Sequence, residues 1–138
     1  MSKKLLLLAV IVFIASKSFA QSEIYLKELR VLRSYGYTIG DEEKVNCVEG
    51  GTGYYYHTFS QGLSYIIVGC SDDENVSDVD LFLYDDDGNE LKRDADTSKL
   101  AILSFVPNYD VRLKVVIKNY KSATPYFAST CRFVVAFK

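Results

Sequence analysis

The segment that decides the fold is residues 78–91, which read DVDLFLYDDDGNEL. Val79, Leu81 and Leu83 alternate with polar or aromatic residues, the pattern of a strand with one face in a core. The Asp-Gly pair at positions 87–88 supplies the positive φ that a tight hairpin turn requires. The segment therefore predicts a β-hairpin whose first strand packs one face into the interior.

Short extended runs of the same kind fill most of the chain between Val45 and Phe137. Val111–Lys118 alternates most regularly, and Tyr65–Val68 is apolar on both faces, as expected for a central strand. Glycine, proline and asparagine separate the runs. Seven or eight short strands at this spacing predict an all-β fold, an antiparallel β-sandwich or a small barrel. The acidic loops between short strands favour the sandwich.

The N-terminus has the pattern of a secretory signal peptide. Lys3 and Lys4 precede an apolar run, and the small residues Ser18 and Ala20 predict cleavage before Gln21. The run is shorter than the ~20 residues that span a bilayer, and no later segment is apolar enough to do so. The sequence therefore predicts an exported protein, periplasmic or extracellular, without a membrane span in the mature chain.

Removal of residues 1–20 would leave 118 residues in two parts, a helix with a linker (21–43) and a sandwich domain (44–138). The predicted helix runs from Glu23 to Tyr35, with Tyr25, Leu29 and Leu32 at helical spacing. Such a helix either packs on its own sheet or serves as an arm for a partner, and the first interpretation is preferred. Residues 37–44 are polar and turn-like, which predicts a linker.

The overall charge is acidic, with 16 basic and 18 acidic residues and a net charge of −2. The signal peptide contains three lysines and no acid, so the mature chain would have a net charge near −5. Proteins that bind nucleic acid neutralise phosphates with clustered lysine and arginine. The sequence has no such patch, and nucleic acid is not expected as a partner.

Five motifs in a fixed order resemble the bacterial pre-peptidase C-terminal domain. They are Gly62–Val68, Asp78–Asp85, Gly88–Glu90, Leu103–Pro107 and Val111–Ile117. The resemblance implies a β-sandwich of jelly-roll type that serves as an accessory module of secreted peptidases. No peptidase domain accompanies the motifs within these 138 residues, so a stand-alone exported form is expected.

The acidic residues are concentrated in one region, with 11 of the 18 between Asp72 and Asp96. The run at 85–88 suggests a calcium loop, but the EF-hand pattern needs an acid at the position of Leu83. Two interpretations remain. The region is either a solvated acidic turn or a calcium site at the sandwich edge built from Asp78, Asp80, Asp85 and Asp87. No other cofactor is expected.

Tyrosine is abundant, with 11 residues and no tryptophan. Tyr54, Tyr55 and Tyr56 follow one another on one predicted strand, so one face must present two of them. Exposed tyrosines combine contact area with a hydrogen-bonding tip, which suits sugar or peptide binding. These three residues are therefore candidate ligand-binding residues, and packing on the core rim is the alternative.

The three cysteines predict one disulfide and one spare thiol in an oxidising compartment. Three pairings are possible. Cys70 ends one apolar run and Cys131 begins another, so antiparallel neighbours would bring them together, and Cys70–Cys131 is the preferred hypothesis. The spare thiol of Cys47 is expected to be buried and inert, since no nearby residue would lower its pKa.

No catalytic residue is predicted. His57 is the only histidine, and no nucleophile motif accompanies it. The sequence therefore favours an exported, non-enzymatic β-sandwich module that binds a protein, a polysaccharide or an envelope component. The alternatives are a small secreted hydrolase that uses His57 or a peptidase-associated protein, and a structural envelope or matrix component that assembles through an edge strand.

Overall fold

The computed structural model describes residues 23–138, which form one helix and eight strands. The helix, α1, spans Glu23–Ser34. The strands are β1 (Thr38–Cys47), β2 (Thr52–Phe59), β3 (Tyr65–Ser71), β4 (Val76–Tyr84), β5 (Glu90–Asp94), β6 (Leu100–Phe105), β7 (Val111–Ser122) and β8 (Ser129–Phe137). The predicted all-β fold with one short N-terminal helix is confirmed.

The strands form two four-stranded antiparallel sheets. Sheet A has the order β1-β8-β3-β6, and sheet B has the order β2-β7-β4-β5. Eight strands in these two orders make a jelly roll, which is built from two Greek keys. The β-sandwich predicted from the alternating pattern is therefore confirmed.

The core lies between the two sheets, where every second residue of the central strands points inward. Val79, Leu81 and Leu83 of β4 all belong to it, as their spacing predicts. Gly69 of β3 faces Leu81, and a Cβ at Gly69 would lie only 2.9 Å from that side chain. The close approach of the two sheets thus depends on the missing side chain at this position.

The predicted hairpin joins β4 to β5. Gly88 has a φ of 84°, which a residue with a side chain rarely adopts. The Asp85 carboxylate accepts the Asn89 side-chain amide at 3.0 Å and the backbone N–H groups of Asn89 at 2.8 Å and Asp87 at 3.0 Å, and these bonds hold the pKa of Asp85 below its usual value. Asp85 therefore stabilises the turn itself.

Helix α1 packs on the outer face of sheet A, so the preferred interpretation of this segment is confirmed. Tyr25, Leu29 and Leu32 are buried against the outward-facing side chains of the two central strands, which are Val68, Cys70, Val134 and Ala136. Gly36, with a φ of 85°, ends the helix, and the N–H of Tyr37 bonds back to the Leu32 carbonyl at 3.0 Å.

The predicted linker at residues 37–44 is wrong from Thr38 onward, because β1 begins there. The strand lies at the edge of sheet A and pairs only with β8. An edge strand with one solvated side tolerates charged residues, and charge there also hinders pairing with other chains. The polarity of this segment is therefore that of an edge strand. The sandwich begins at Thr38, before the predicted boundary at residue 44.

The predicted Cys70–Cys131 disulfide does not fit the structure, in which all three cysteines are free and buried. The register of β3 and β8 places Cys131 opposite Ser71, one residue out of phase with Cys70. Successive residues of a strand point to opposite faces. Cys70 therefore packs under α1 and Cys131 in the sandwich core, and the two side chains point apart.

The predicted signal peptide, residues 1–20, lies outside the described residues. Within residues 23–138, no helix combines the length and the apolar character needed to cross a membrane.

Candidate functional site

The outer face of sheet B is the open face of the described sandwich. Helix α1 contacts β1 and β3 of sheet A, whereas the outward tyrosines of β2 reach solvent. Tyr54 is 58% exposed and Tyr56 is 37% exposed. Exposed tyrosines combine contact area with a hydrogen-bonding tip, and here two of them share one sheet face.

Strand register arranges the outward side chains of sheet B in rows that run across the strands. One row contains Tyr54, Val116, Phe82 and Arg93, and the next contains Tyr56, Lys114, Tyr84 and Glu90. Flanking rows contribute Lys118 and Arg112. We call this surface the tyrosine–cation face and define it by its aromatic and basic members, which are Tyr54, Tyr56, Phe82, Tyr84, Arg93, Arg112, Lys114 and Lys118.

The basic side chains of β7 lie over the tyrosine rings of β2. The Arg112 guanidinium carbon is 4.0 Å from the Tyr56 ring centroid, and Lys114 Nζ is 4.2 Å from that of Tyr54. Each pair is diagonal in the register, one row apart. A cation over an exposed ring contributes about 0.5–1 kcal/mol. The contacts therefore hold two long, flexible side chains in place.

A groove of about 440 Å³ opens beside these pairs. Tyr56, Tyr84 and Lys114 line one side, and the acidic hairpin at 85–88 lines the other. The groove thus brings a cation, two tyrosine rings and carboxylates into reach of one ligand.

Of the three candidate tyrosines, the structure brings two to this surface. Tyr54 and Tyr56 point outward, whereas Tyr55 points inward and packs against the sandwich core. The side chain of Tyr55 is therefore not available to a ligand on the tyrosine–cation face. Tyr55 lies on the opposite face from Tyr54 and Tyr56 because successive side chains of a strand point to opposite faces.

The four candidate calcium ligands are not brought together. Asp78 and Asp80 are buried in β4, while Asp85 and Asp87 lie in the turn beyond its end. Five residues of strand from Asp80 to Asp85 span ~16 Å, too far for one ion with ligands at ~2.4 Å. Within residues 23–138, no group of three or more acidic, histidine or cysteine side chains is arranged to hold a metal ion.

Asp80 is the unusual acid of this region. It is only 4% exposed, and its Oδ1 atom has no hydrogen-bond partner among the described residues. Burial raises the pKa of this carboxyl above its usual value, and neighbouring Asp78 adds to the effect, while Lys118 opposes it. Asp80 therefore sits under the tyrosine–cation face as a charge that the fold itself does not satisfy.

His57 occupies a place that the sequence does not predict. It lies on the inward face of β2 with a side chain only 13% exposed, and its Nδ1 atom is 2.5 Å from Asp41 Oδ2. The pair joins the edge strands of the two sheets. The His57 ring also packs edge-on against the Phe59 ring, with the two centroids 4.7 Å apart. Among the described residues, no serine, threonine or cysteine side chain bonds to His57.

An irregularity in β1 positions Asp41. The register with β8 shifts between Ile39 and Glu42, so the strand bulges at Gly40 and Asp41. Gly40 is required there, because a Cβ would lie 2.7 Å from the Val135 carbonyl oxygen. The only signal in the sequence is a glycine inside a polar strand, which is too weak to predict the Asp41–His57 pair.

Fold and surface together define a jelly-roll β-sandwich module with one covered and one open face. No protein-family model matches the chain, and no curated protein sequence matches it. Similar structures exist nonetheless. The periplasmic inhibitor of g-type lysozyme PliG from Aeromonas hydrophila superposes with a TM-score of 0.53 at 9% identity, over 71% of this chain and 85% of that one.

The pre-peptidase C-terminal domain of a collagenase from Bacillus anthracis is also similar. It has a TM-score of 0.52 at 13% identity, over 70% of this chain and 89% of the domain. Similarity at such identity shows the fold alone. The pre-peptidase C-terminal-like fold that the five sequence motifs predict is therefore supported, while membership of that family is not established.

Proposed function

We propose that this protein is an exported, non-enzymatic module that binds a protein, a polysaccharide or an envelope component on its tyrosine–cation face. The observation that carries the proposal is the contrast between the two outer faces. Helix α1 covers the central strands of sheet A, while sheet B presents solvent-exposed tyrosines that contact cations. Tyrosine and arginine are the side chains enriched at binding surfaces. Export rests on the signal pattern of residues 1–20.

A hydrolase that uses His57 is less well supported. Asp41 and His57 have the geometry of a base and its orienting acid, with 2.5 Å between Nδ1 and Oδ2. The histidine ring, however, packs edge-on against Phe59 and Tyr65 of the core. A buried aromatic environment and the lack of a bonded nucleophile within residues 23–138 favour a structural role for the pair.

A structural component that assembles through its strand edges is also less well supported. The outer edge of β6 is occupied by side chains of β5, because Asp94 accepts the Ile102 N–H at 2.7 Å and Lys92 donates to the Ser104 carbonyl. The outer edge of β1 carries the charged residues 41–44. Both devices hinder pairing with another sheet.

The test is capture of components from the envelope and medium of the source cells by the immobilised protein. A Tyr54→Ser/Tyr56→Ser variant should lose the captured component, because it removes the exposed rings from the tyrosine–cation face. The matched control is Tyr109→Ser/Tyr126→Ser, which removes two tyrosines that are at least as exposed but lie elsewhere. Equal capture by both variants would refute the proposed surface.

A further inference from the structure

Two of the three cysteines meet inside the sandwich. Cys47 on β1 and Cys131 on β8 both belong to the core between the sheets, and their thiols lie within hydrogen-bonding reach of each other. The strand register explains this contact, because Cys131 pairs with Val45, two residues before Cys47 on the same strand. The two cysteines are therefore diagonal neighbours on the inward face of adjacent antiparallel strands.

The third cysteine is separated from this pair by the backbone of sheet A. Cys70 lies on the outer face of the sheet, under α1, whereas Cys47 and Cys131 lie on its inner face. A disulfide needs two Cβ atoms that are about 3.8 Å apart and whose bonds to sulfur converge. Of the three pairings that the cysteine count allows, the structure therefore favours only the one between Cys47 and Cys131.

The end of β1 has the freedom that bond formation requires. Cys47 is the last residue of this strand, and β1 pairs only with β8. Gly50 and Gly51 follow in the turn to β2. When the sulfur atoms approach from contact to the bond length of about 2.05 Å, the end of an edge strand moves and the centre of the sheet stays in place.

We propose that Cys47 and Cys131 form a disulfide that ties the end of β1 to β8, and that Cys70 is the spare thiol. The oxidant is a disulfide supplied from outside the protein, such as oxidised glutathione. One cysteine thiolate attacks it and releases one thiol, and the other cysteine then attacks the mixed disulfide and releases the second thiol. Two protons and two electrons pass from the protein to the oxidant, which is reduced to two thiols.

Burial determines when this bond forms. In the folded protein Cys131 is buried and Cys47 is only 5% exposed, so an oxidant reaches the two thiols before β1 pairs with β8 and not afterwards. The bond is therefore expected to form during folding in an oxidising compartment. Its formation in the cell depends on export, which is part of the proposed function, whereas its formation in the purified protein depends only on the fold.

The test is refolding of the urea-unfolded protein in a buffer of reduced and oxidised glutathione, followed by alkylation of free thiols with iodoacetamide. Digestion with trypsin and Glu-C resolves the cysteines, because cleavage after Glu49 puts Cys47 and Cys70 on different peptides. Non-reducing mass mapping should find the Cys47–Cys131 bond in nearly all of the protein and an alkylated Cys70. The oxidised protein should melt at least about 5 °C above the reduced protein, because the bond closes a long loop of the unfolded chain.

Cys70→Ala is the matched control, since it removes a buried thiol that takes no part in the bond. This variant should form the same disulfide, whereas Cys131→Ala should keep both remaining thiols free after refolding. In concentrated urea the native contact is absent. The same glutathione buffer should then give mainly the Cys47–Cys70 pair, which closes the shortest loop.

Three results would overturn the proposed disulfide. They are a bond to Cys70 in the refolded wild-type protein, three free thiols at the end of refolding, and an oxidised protein that melts below the reduced one. None of these results bears on ligand binding by the tyrosine–cation face, which contains no cysteine.

Discussion

The outer faces of sheets A and B are built on the same two-residue alternation but differ in their side chains and in what contacts them. Outward residues on the central strands of sheet A are small and apolar, such as Val68, Val134 and Ala136, and α1 covers them. Outward residues of sheet B include tyrosines and cations, and Tyr54 and Tyr56 are exposed to solvent. A sheet face of the first kind gains stability from burial, while one of the second kind keeps its contact area for a ligand.

The largest expected loss of stability is at the centre of the covered face. Leu29→Asp should lower the free energy of unfolding by about 3 kcal/mol or more, because it places a charge in the apolar contact between α1 and sheet A. Urea unfolding of the two proteins measures the loss. Leu26→Asp, on the exposed side of the same helix, should change stability by less than about 0.5 kcal/mol.

Thiol labelling of the Leu29→Asp variant separates local from global effects. If α1 detaches and the sandwich survives, Cys70 should react with iodoacetamide while Cys131 stays protected, since only Cys70 lies under the helix. Equal stability of the Leu29→Asp and Leu26→Asp variants would contradict the packed helix.

The second prediction concerns alkaline pH. Burial raises the pKa of Cys70 from an ordinary 9.0 to about 12. The folded state thus keeps a proton that the unfolded state loses, so stability is full below pH 9 and falls as the pH rises toward 12. Each such thiol contributes a slope of up to about 1.4 kcal/mol per pH unit. Unfolding measured between pH 9 and 11 should show the fall.

Cys131 has its pKa raised to about 12 by the same cause, and burial also raises the pKa of Cys47, so all three thiols contribute to this slope in the reduced protein. Cys70→Ala loses stability at all pH values because it leaves a cavity, but its slope between pH 9 and 11 should be shallower than that of the wild type. A variant slope identical to the wild-type slope would show that Cys70 does not carry the effect.

How far the sequence predicts the molecule depends on what decides each feature. The β4 strand, its hairpin and the helix follow from local periodicity and turn chemistry, and the structure confirms them. Residues 38–44 of β1 read as a linker in the sequence because their polarity reflects their place at a sheet edge. That place depends on the pairing with β8, more than 80 residues away in sequence.

Only part of the candidate surface can be predicted from the sequence, because the rest depends on pairing between strands that are distant in sequence. The tyrosine triplet at 54–56 is visible in the sequence, and the strand period predicts that two of its members share a face. The cations over Tyr54 and Tyr56 come from β7, and the register of β2 and β7 decides which cation meets which ring. The four candidate calcium ligands were grouped by proximity in sequence, but an extended strand separates them.

The third prediction tests the cost of the buried acid under the open face. Asp80→Asn should raise the free energy of unfolding at pH 7 by up to about 1 kcal/mol. The wild-type carboxylate is buried and its Oδ1 atom has no hydrogen-bond partner among the described residues, and the substitution puts a neutral amide in its place. The pKa of Asp80 is raised in the folded state, so its charge costs stability above that pKa. The difference between the two proteins should therefore vanish below pH 3.8.

The control for Asp80 is Asp86→Asn on the exposed hairpin, which should change stability by less than about 0.5 kcal/mol. A destabilised Asp80→Asn protein would mean that the contact with Lys118 outweighs the cost of burial. In that case the open face would be optimised for stability as the covered face is, and the contrast between them would weaken.

The smallest expected effect lies within the tyrosine–cation face itself. A double-mutant cycle between Tyr56→Ala and Arg112→Ala should give a coupling energy of about 0.5–1 kcal/mol, because the guanidinium lies 4.0 Å from the ring centroid. A cycle between Tyr54→Ala and Arg112→Ala should give almost none, since Lys114 is the cation over Tyr54. Comparable coupling in both cycles would mean that each cation contacts both rings, which would contradict the fixed cation–tyrosine pairs of the tyrosine–cation face.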